Sequence, residues 1–232
     1  MLVIAGVTIG ASAVLGTGVI LAAKFLLYPS VPVAKLTGIP EIILFAQLLT
    51  YVVVFGFMYW MVAAKTGNFW GAIQWNWPGS SWPAYLFGGA ALYLVLAGLG
   101  QLLPIPKHLP IDRFFSNARE ATIMSVFAVT LAPFMEELFF RGFLYPVVAR
   151  KMGMLGGILV TAAAFGALHG AQLKYSWAVL LIFLVGVALT TVRALTKSVA
   201  ASFLMHVGYN GTLSLLIYFV TGGFRHLEKL NQ

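Results

Sequence analysis

The chain has 232 residues, 61% apolar and only 9% charged, with a mean hydropathy of +0.94. That composition excludes a water-soluble globular enzyme and a disordered chain, and the absence of cysteine excludes disulfides, thiolate metal sites and a cysteine nucleophile. The net charge of +8 reads as Lys and Arg at helix ends facing anionic headgroups, so membrane lipids, and no nucleic acid, are the expected surroundings.

A spanning helix needs about 20 apolar residues. Runs over 2–27, 42–64, 84–103, 121–145, 154–170, 175–195 and 199–221 predict about seven spans. The first reads as an uncleaved helix, because it lacks a basic leader and Lys24 sits near its far end. Gly6 and Gly10 lie one turn apart within it, a spacing that lets two helices approach closely. The connection over 28–41 holds Pro29, Pro32 and Pro40. The next, over 65–83, holds Trp70, Trp75, Trp77 and Trp82 and is expected to lie along the membrane interface. The stretch 104–120 is the most polar, and Asn117-x-x-Glu120 predicts a capping box that opens the fourth helix. Pro133 predicts a kink there. The fifth run is short. With Arg193 counted among the loop charges, the basic residues slightly favour an outside N-terminus. No repeat and no soluble domain interrupts the pattern. Residues 1–232 therefore read as a single integral membrane domain. Its fold class is all-α, a polytopic transmembrane bundle of about seven to eight helices around a polar cavity. Its place is a multi-pass membrane protein, in the cell membrane if the source is prokaryotic.

Ionisable groups inside these runs stand out, since a charge at mid-bilayer costs about 2.5–3.5 kcal/mol or more. Of the six acids, only Glu136 and Glu137 sit deep in an apolar run. Glu137 and Arg141 are four apart and share a helix face. Glu136 is turned about 100° away and has no base one turn distant, so it must point at another helix. His169 and His206 also lie in membrane runs, whereas His108 and His226 do not. Phe165 precedes His169 by one turn. Ser202, His206, Asn210 and Ser214 form a polar stripe on an apolar helix, which should face the bundle interior or a wet cavity. A carboxylate with an imidazole can activate water, and a second imidazole with a carboxamide can donate to an oxyanion. No Ser stands in a nucleophile elbow. Read from the residues alone, a hydrolytic site and a proton or ion pathway both remain open.

Glu136-Glu137-x-x-x-Arg141, Phe165-x-x-x-His169 and His206-x-x-x-Asn210 together resemble the three ordered motifs of the CPBP family. This is the CAAX protease and bacteriocin-processing (Abi) family, which includes the type II CAAX prenyl endopeptidases. The resemblance covers residues 118–216. It implies a glutamate-dependent intramembrane endopeptidase in which Glu136 and His169 hold and activate a water. His206 and Asn210 would form the oxyanion hole. Glu137 and Arg141 would support the site, and Phe165 would line or shape its cavity. The expected mechanism uses no metal and no cofactor. The alternative is zinc held by Glu136, His169 and His206 with one open position. The substrate would be a peptide or protein, either a lipidated CAAX-like tail or a membrane peptide. The competing function is a non-enzymatic bacteriocin-immunity or partner-binding membrane protein.

Overall fold

In a bilayer each backbone N–H and C=O must be satisfied within its own segment, which favours continuous helices. The computed structural model describes residues 2–231 and holds no strand among them. Among the described residues six runs are long and apolar enough to cross a membrane: Gly10–Leu27, Pro40–Thr66, Gly79–Gly100, Ala118–Leu168, Ala178–Thr196 and Val199–Val220. The protein is a multi-pass helical membrane protein. By its internal contacts the chain divides after Ala72 into two units.

In the first unit, α1 (Leu2–Ala22) packs on α3 (Pro40–Thr66). Lys24 caps the proline-rich turn between them. Its Nζ donates to the carbonyls of Pro29 at 2.6 Å and Val31 at 3.0 Å. Ala23, Leu36 (in the single-turn α2, Val33–Leu36) and Ile42 form a small buried cluster. Pro40 starts α3 at a position where its missing N–H costs nothing. Among the described residues nothing lies within 4 Å of the Cβ that Gly6 or Gly10 would carry, so none of them makes the close helix approach expected there. A short α4 (Phe69–Ala72) closes the unit, with the Phe69 ring against Phe55 and Tyr59.

The second unit holds α5 (Trp82–Gly100), α6 (Ala118–Val129), α7 (Leu131–Glu137), α8 (Tyr145–Leu168), α9 (Ala178–Thr196) and α10 (Val199–Val220). Helices α5 and α10 touch backbone to backbone. A Cβ on Gly89 would strike the Met205 carbonyl, and one on Gly208 the Leu86 carbonyl, so only glycine permits this crossing. Of the tryptophans expected at the interface, Trp70, Trp77 and Trp82 are exposed. Trp75 instead packs against Phe134 and Phe203.

The fourth and fifth predicted runs are joined in one helical stretch of 51 residues, Ala118–Leu168. At 1.5 Å per residue this would extend about 75 Å, more than twice the hydrocarbon core. It does not run straight. At Thr130 the backbone leaves helical geometry (φ −113, ψ −76), three residues before Pro133. At Gly153 (φ 73, ψ 176) the backbone enters a region open essentially to glycine. There the chain reverses. A Cβ on Gly157 would lie 2.8 Å from Ala149 Cβ and 3.0 Å from the Tyr145 ring, whereas residues eight apart in a straight helix are about 12 Å apart. Residues 145–152 and 154–168 are thus two arms of a hairpin. The predicted capping box is half present. Asn117 Oδ1 accepts from the Glu120 N–H at 3.0 Å, while the Glu120 carboxylate takes the Ser116 hydroxyl instead.

Candidate active site

The kink and the hairpin bring the ionisable residues together. Between α7 and α8 lies a π-helical segment, Leu138–Leu144, a form often found at functional sites. It directly follows Glu136 and Glu137. The returning arm of α8 lays Phe165 and His169 over it. Helix α10 supplies Ser202, His206 and Asn210, and α9 supplies Gly186, Leu189, Thr190 and Arg193.

Glu137 and Arg141 are both wholly buried and joined at 2.7 Å. Burying an ion pair is costly unless the remaining donors and acceptors are also matched. Here they are. Glu137 Oε1 accepts from Arg141 Nη1 and from His206 Nδ1 at 3.0 Å. Its Oε2 accepts from Ser202 Oγ at 2.5 Å, with Leu189 O at 3.1 Å from the same hydroxyl. Arg141 Nε donates to Thr190 Oγ1 at 3.2 Å, and Nη2 donates to Gly186 O at 3.1 Å. Thr190 passes its own hydrogen to Gly186 O at 2.7 Å. The Phe165 ring lies over the guanidinium, 4.7 Å from Cζ. Thr190, Gly186 and Leu189 escaped the sequence reading. Ser202 was legible only as a member of the polar stripe.

Glu136 lies on the other side and is partly exposed (16%). Its Oε1 is 3.9 Å from His169 Nε2, and its Oε2 is 3.8 Å from His206 Nε2. The expectation that it points away from its own helix is met, with α8 and α10 as the targets. His169 Nδ1 is 2.9 Å from Phe165 O. A carbonyl only accepts, so Nδ1 carries the hydrogen, and in the neutral form of the ring the lone pair on Nε2 faces Glu136. His206 Nδ1 likewise donates, to Glu137. Phe165 is buried between the imidazoles and the ion pair. Its ring is 4.8 Å from His169, 5.8 Å from His206 and 5.2 Å from Phe140.

Asn210 has a partner that the sequence did not suggest. Its Nδ2 donates to Ala128 O at 2.7 Å, a carbonyl in the last turn of α6 that the kink leaves without a helical donor. The second Nδ2 hydrogen is not used by this bond. Arg193 overturns its placement among the loop charges. It is 4% exposed, within the last turn of α9, and its Nε donates to Arg141 O at 3.1 Å.

Glu136, His169 and His206 are donors of the type zinc takes. Both imidazoles have Nδ1 engaged and Nε2 free, the outer-shell pattern of metal-bound histidine. Donors around tetrahedral zinc, however, sit about 3.4 Å apart, and these separations are 3.8 and 3.9 Å. Among the described residues no three such side chains are gathered closely enough to hold an ion as they stand.

Residues 118–212 match the family described as type II CAAX prenyl endopeptidase Rce1-like. The match runs from the first residue of α6 into α10 and contains all of the acids, imidazoles and amides described above. The similarity to that family is confined to this part of a multi-pass membrane protein. Neither the curated proteins nor the solved structures contain a match.

Proposed function

We propose that the protein is a glutamate-dependent intramembrane endopeptidase. The observation that carries the reading is the division of labour between adjacent acids. Glu137 is saturated by three donors, whereas Glu136 meets no donor of its own helix and lies between two imidazole Nε2 atoms.

In this reading a water donates one hydrogen to Glu136 and the other to His169 Nε2. Glu136 takes a proton as the water oxygen bonds to the scissile carbonyl carbon. The oxyanion is met by the free Nδ2 hydrogen of Asn210 and by His206 Nε2. Because Nδ1 of His206 is committed to Glu137, Nε2 donates only when the ring is an imidazolium. Glu137 then serves as its counter-ion. As the tetrahedral intermediate collapses, the C–N bond breaks and Glu136 returns its proton to the leaving amine. Phe165 keeps water from the ion pair, which strengthens its electrostatics. The substrate is a peptide presented at the membrane, either a prenylated CAAX-like tail or a transmembrane peptide.

Purified protein in lipid is tested against a mixed set of lipidated and transmembrane peptides, wild type beside Glu136→Gln, with and without a strong chelator. The expected result is cleavage by wild type, retained with chelator and abolished in Glu136→Gln. Chelator-sensitive cleavage moves the site to zinc on Glu136, His169 and His206. Peptide binding that survives Glu136→Gln, with no cleavage by wild type, refutes the proposal and favours the partner-binding reading.

A further inference from the structure

The π-helical segment after the acid pair changes which carbonyls are satisfied. In an α-helix the Tyr145 N–H would bond Arg141 O. Here it bonds Phe140 O, one residue earlier. The next N–H along the chain would belong to residue 146, which is proline and has none. Arg141 O is thus stripped of both backbone donors. It is a buried carbonyl in a wholly buried residue, and such a group is costly to leave unpaired.

Arg193 fills that place. Its Nε donates to Arg141 O at 3.1 Å, and its guanidinium lies 5.8 Å from the Tyr145 ring centre. Among the described residues it has no acidic partner. Thr190, one turn earlier on α9, takes the Nε hydrogen of Arg141. Helix α9 therefore grips Arg141 at two points, the side chain through Thr190 and Gly186 and the main chain through Arg193.

We infer that Arg193 is a positioning residue: by capping the carbonyl that the π-segment frees, it fixes the register of Arg141, and through Arg141 that of Glu137 and His206. This rests on the endopeptidase reading above for its effect on turnover, but not for its effect on His206. What matters is the N–H at the fourth atom from Cα and not the charge. Glutamine carries an N–H at that same place, on Cδ, and methionine fills similar space without a donor.

Arg193→Met and Arg193→Gln are compared with wild type in lipid by two readouts. The first is cleavage kinetics. Met is expected to lower kcat about 10- to 100-fold, the scale of a small misplacement of catalytic groups, with KM within about twofold. Gln is expected to bring kcat back to within about threefold. The second is the imidazole ¹⁵N spectrum of His206, which reads the Nδ1–H bond to Glu137 without substrate. Met is expected to shift it and Gln to leave it as in wild type. A wild-type kcat in Met, a Gln variant as impaired as Met, a change confined to KM, or an unmoved His206 spectrum in Met each overturns the inference. If Met fails to fold, Gln alone decides, since a displaced His206 signal in Gln refutes the hydrogen-bond role. If wild type cleaves no peptide, the endopeptidase reading fails and the His206 spectra still decide this one.

Discussion

Arg141→Lys isolates the tertiary part of the buried ion pair. Glu137 and Arg141 lie on one continuous helical stretch, so their contact at 2.7 Å survives when the bundle opens in a micelle with its helices intact. What opening removes is the grip of α9, namely Arg141 Nε on Thr190 Oγ1 and Nη2 on Gly186 O. Lysine keeps the cation near Glu137 but has no fork to reach both acceptors. Interhelical hydrogen bonds in membrane proteins average about 0.6 kcal/mol and reach about 1.7. Two of them put the cost of Arg141→Lys at about 1–3 kcal/mol. Thr190→Val removes one acceptor at nearly constant shape and should cost about 0.6–1.7 kcal/mol. In the double variant that bond is already gone, so its cost should exceed Arg141→Lys by well under the Thr190→Val value. Unfolding is followed by circular dichroism during SDS titration in mixed micelles. Strict additivity, or an Arg141→Lys variant within about 0.5 kcal/mol of wild type, the scale of an inconsequential substitution, would refute the reasoning.

Asn210→Ala should act twice. It should lower kcat by about 10²–10³-fold if the amide serves the oxyanion, and weaken unfolding by about 1 kcal/mol through loss of the Ala128 bond. A stability loss with kcat unchanged would leave Asn210 only as a cap on α6. Gly208→Val drives a side chain into the Leu86 carbonyl and should destabilise by at least about 1–3 kcal/mol in the same SDS titration; a neutral result would mean that α5 and α10 do not cross there. Gly153→Ala forces φ 73, ψ 176 on a residue with a Cβ, at about 1–3 kcal/mol. Its unfolding midpoint should fall, and an unchanged midpoint would argue against the hairpin.

The spans were legible because the bilayer imposes one simple demand, about 20 apolar residues per helix. The site was legible for the converse reason. An acid, an arginine or an imidazole inside such a run must find a partner, so Glu136, Glu137, Arg141, His169 and His206 stood out at once. Helical spacing also gave the Glu137–Arg141 pair, which lies within one turn. Arg193 was misplaced because an arginine near a helix end reads as interfacial whether it turns outward or, as here, inward onto a carbonyl.

By itself, then, the sequence determined the membrane class, most of the spanning runs, the ionisable residues set within them and the Glu137–Arg141 pair. Tertiary structure alone decided that His206 binds one acid through Nδ1 and faces the other through Nε2, that Asn210 caps α6, and that Thr190, Ser202 and Gly186 complete the ion pair. The reason is geometric. The 3.6-residue period relates side chains on one helix and carries no information about where two helices cross. Here the crossings are set by glycines that let backbones touch, by the reversal at Gly153, and by a π-segment whose displaced hydrogen bonds appear only once the chain has folded.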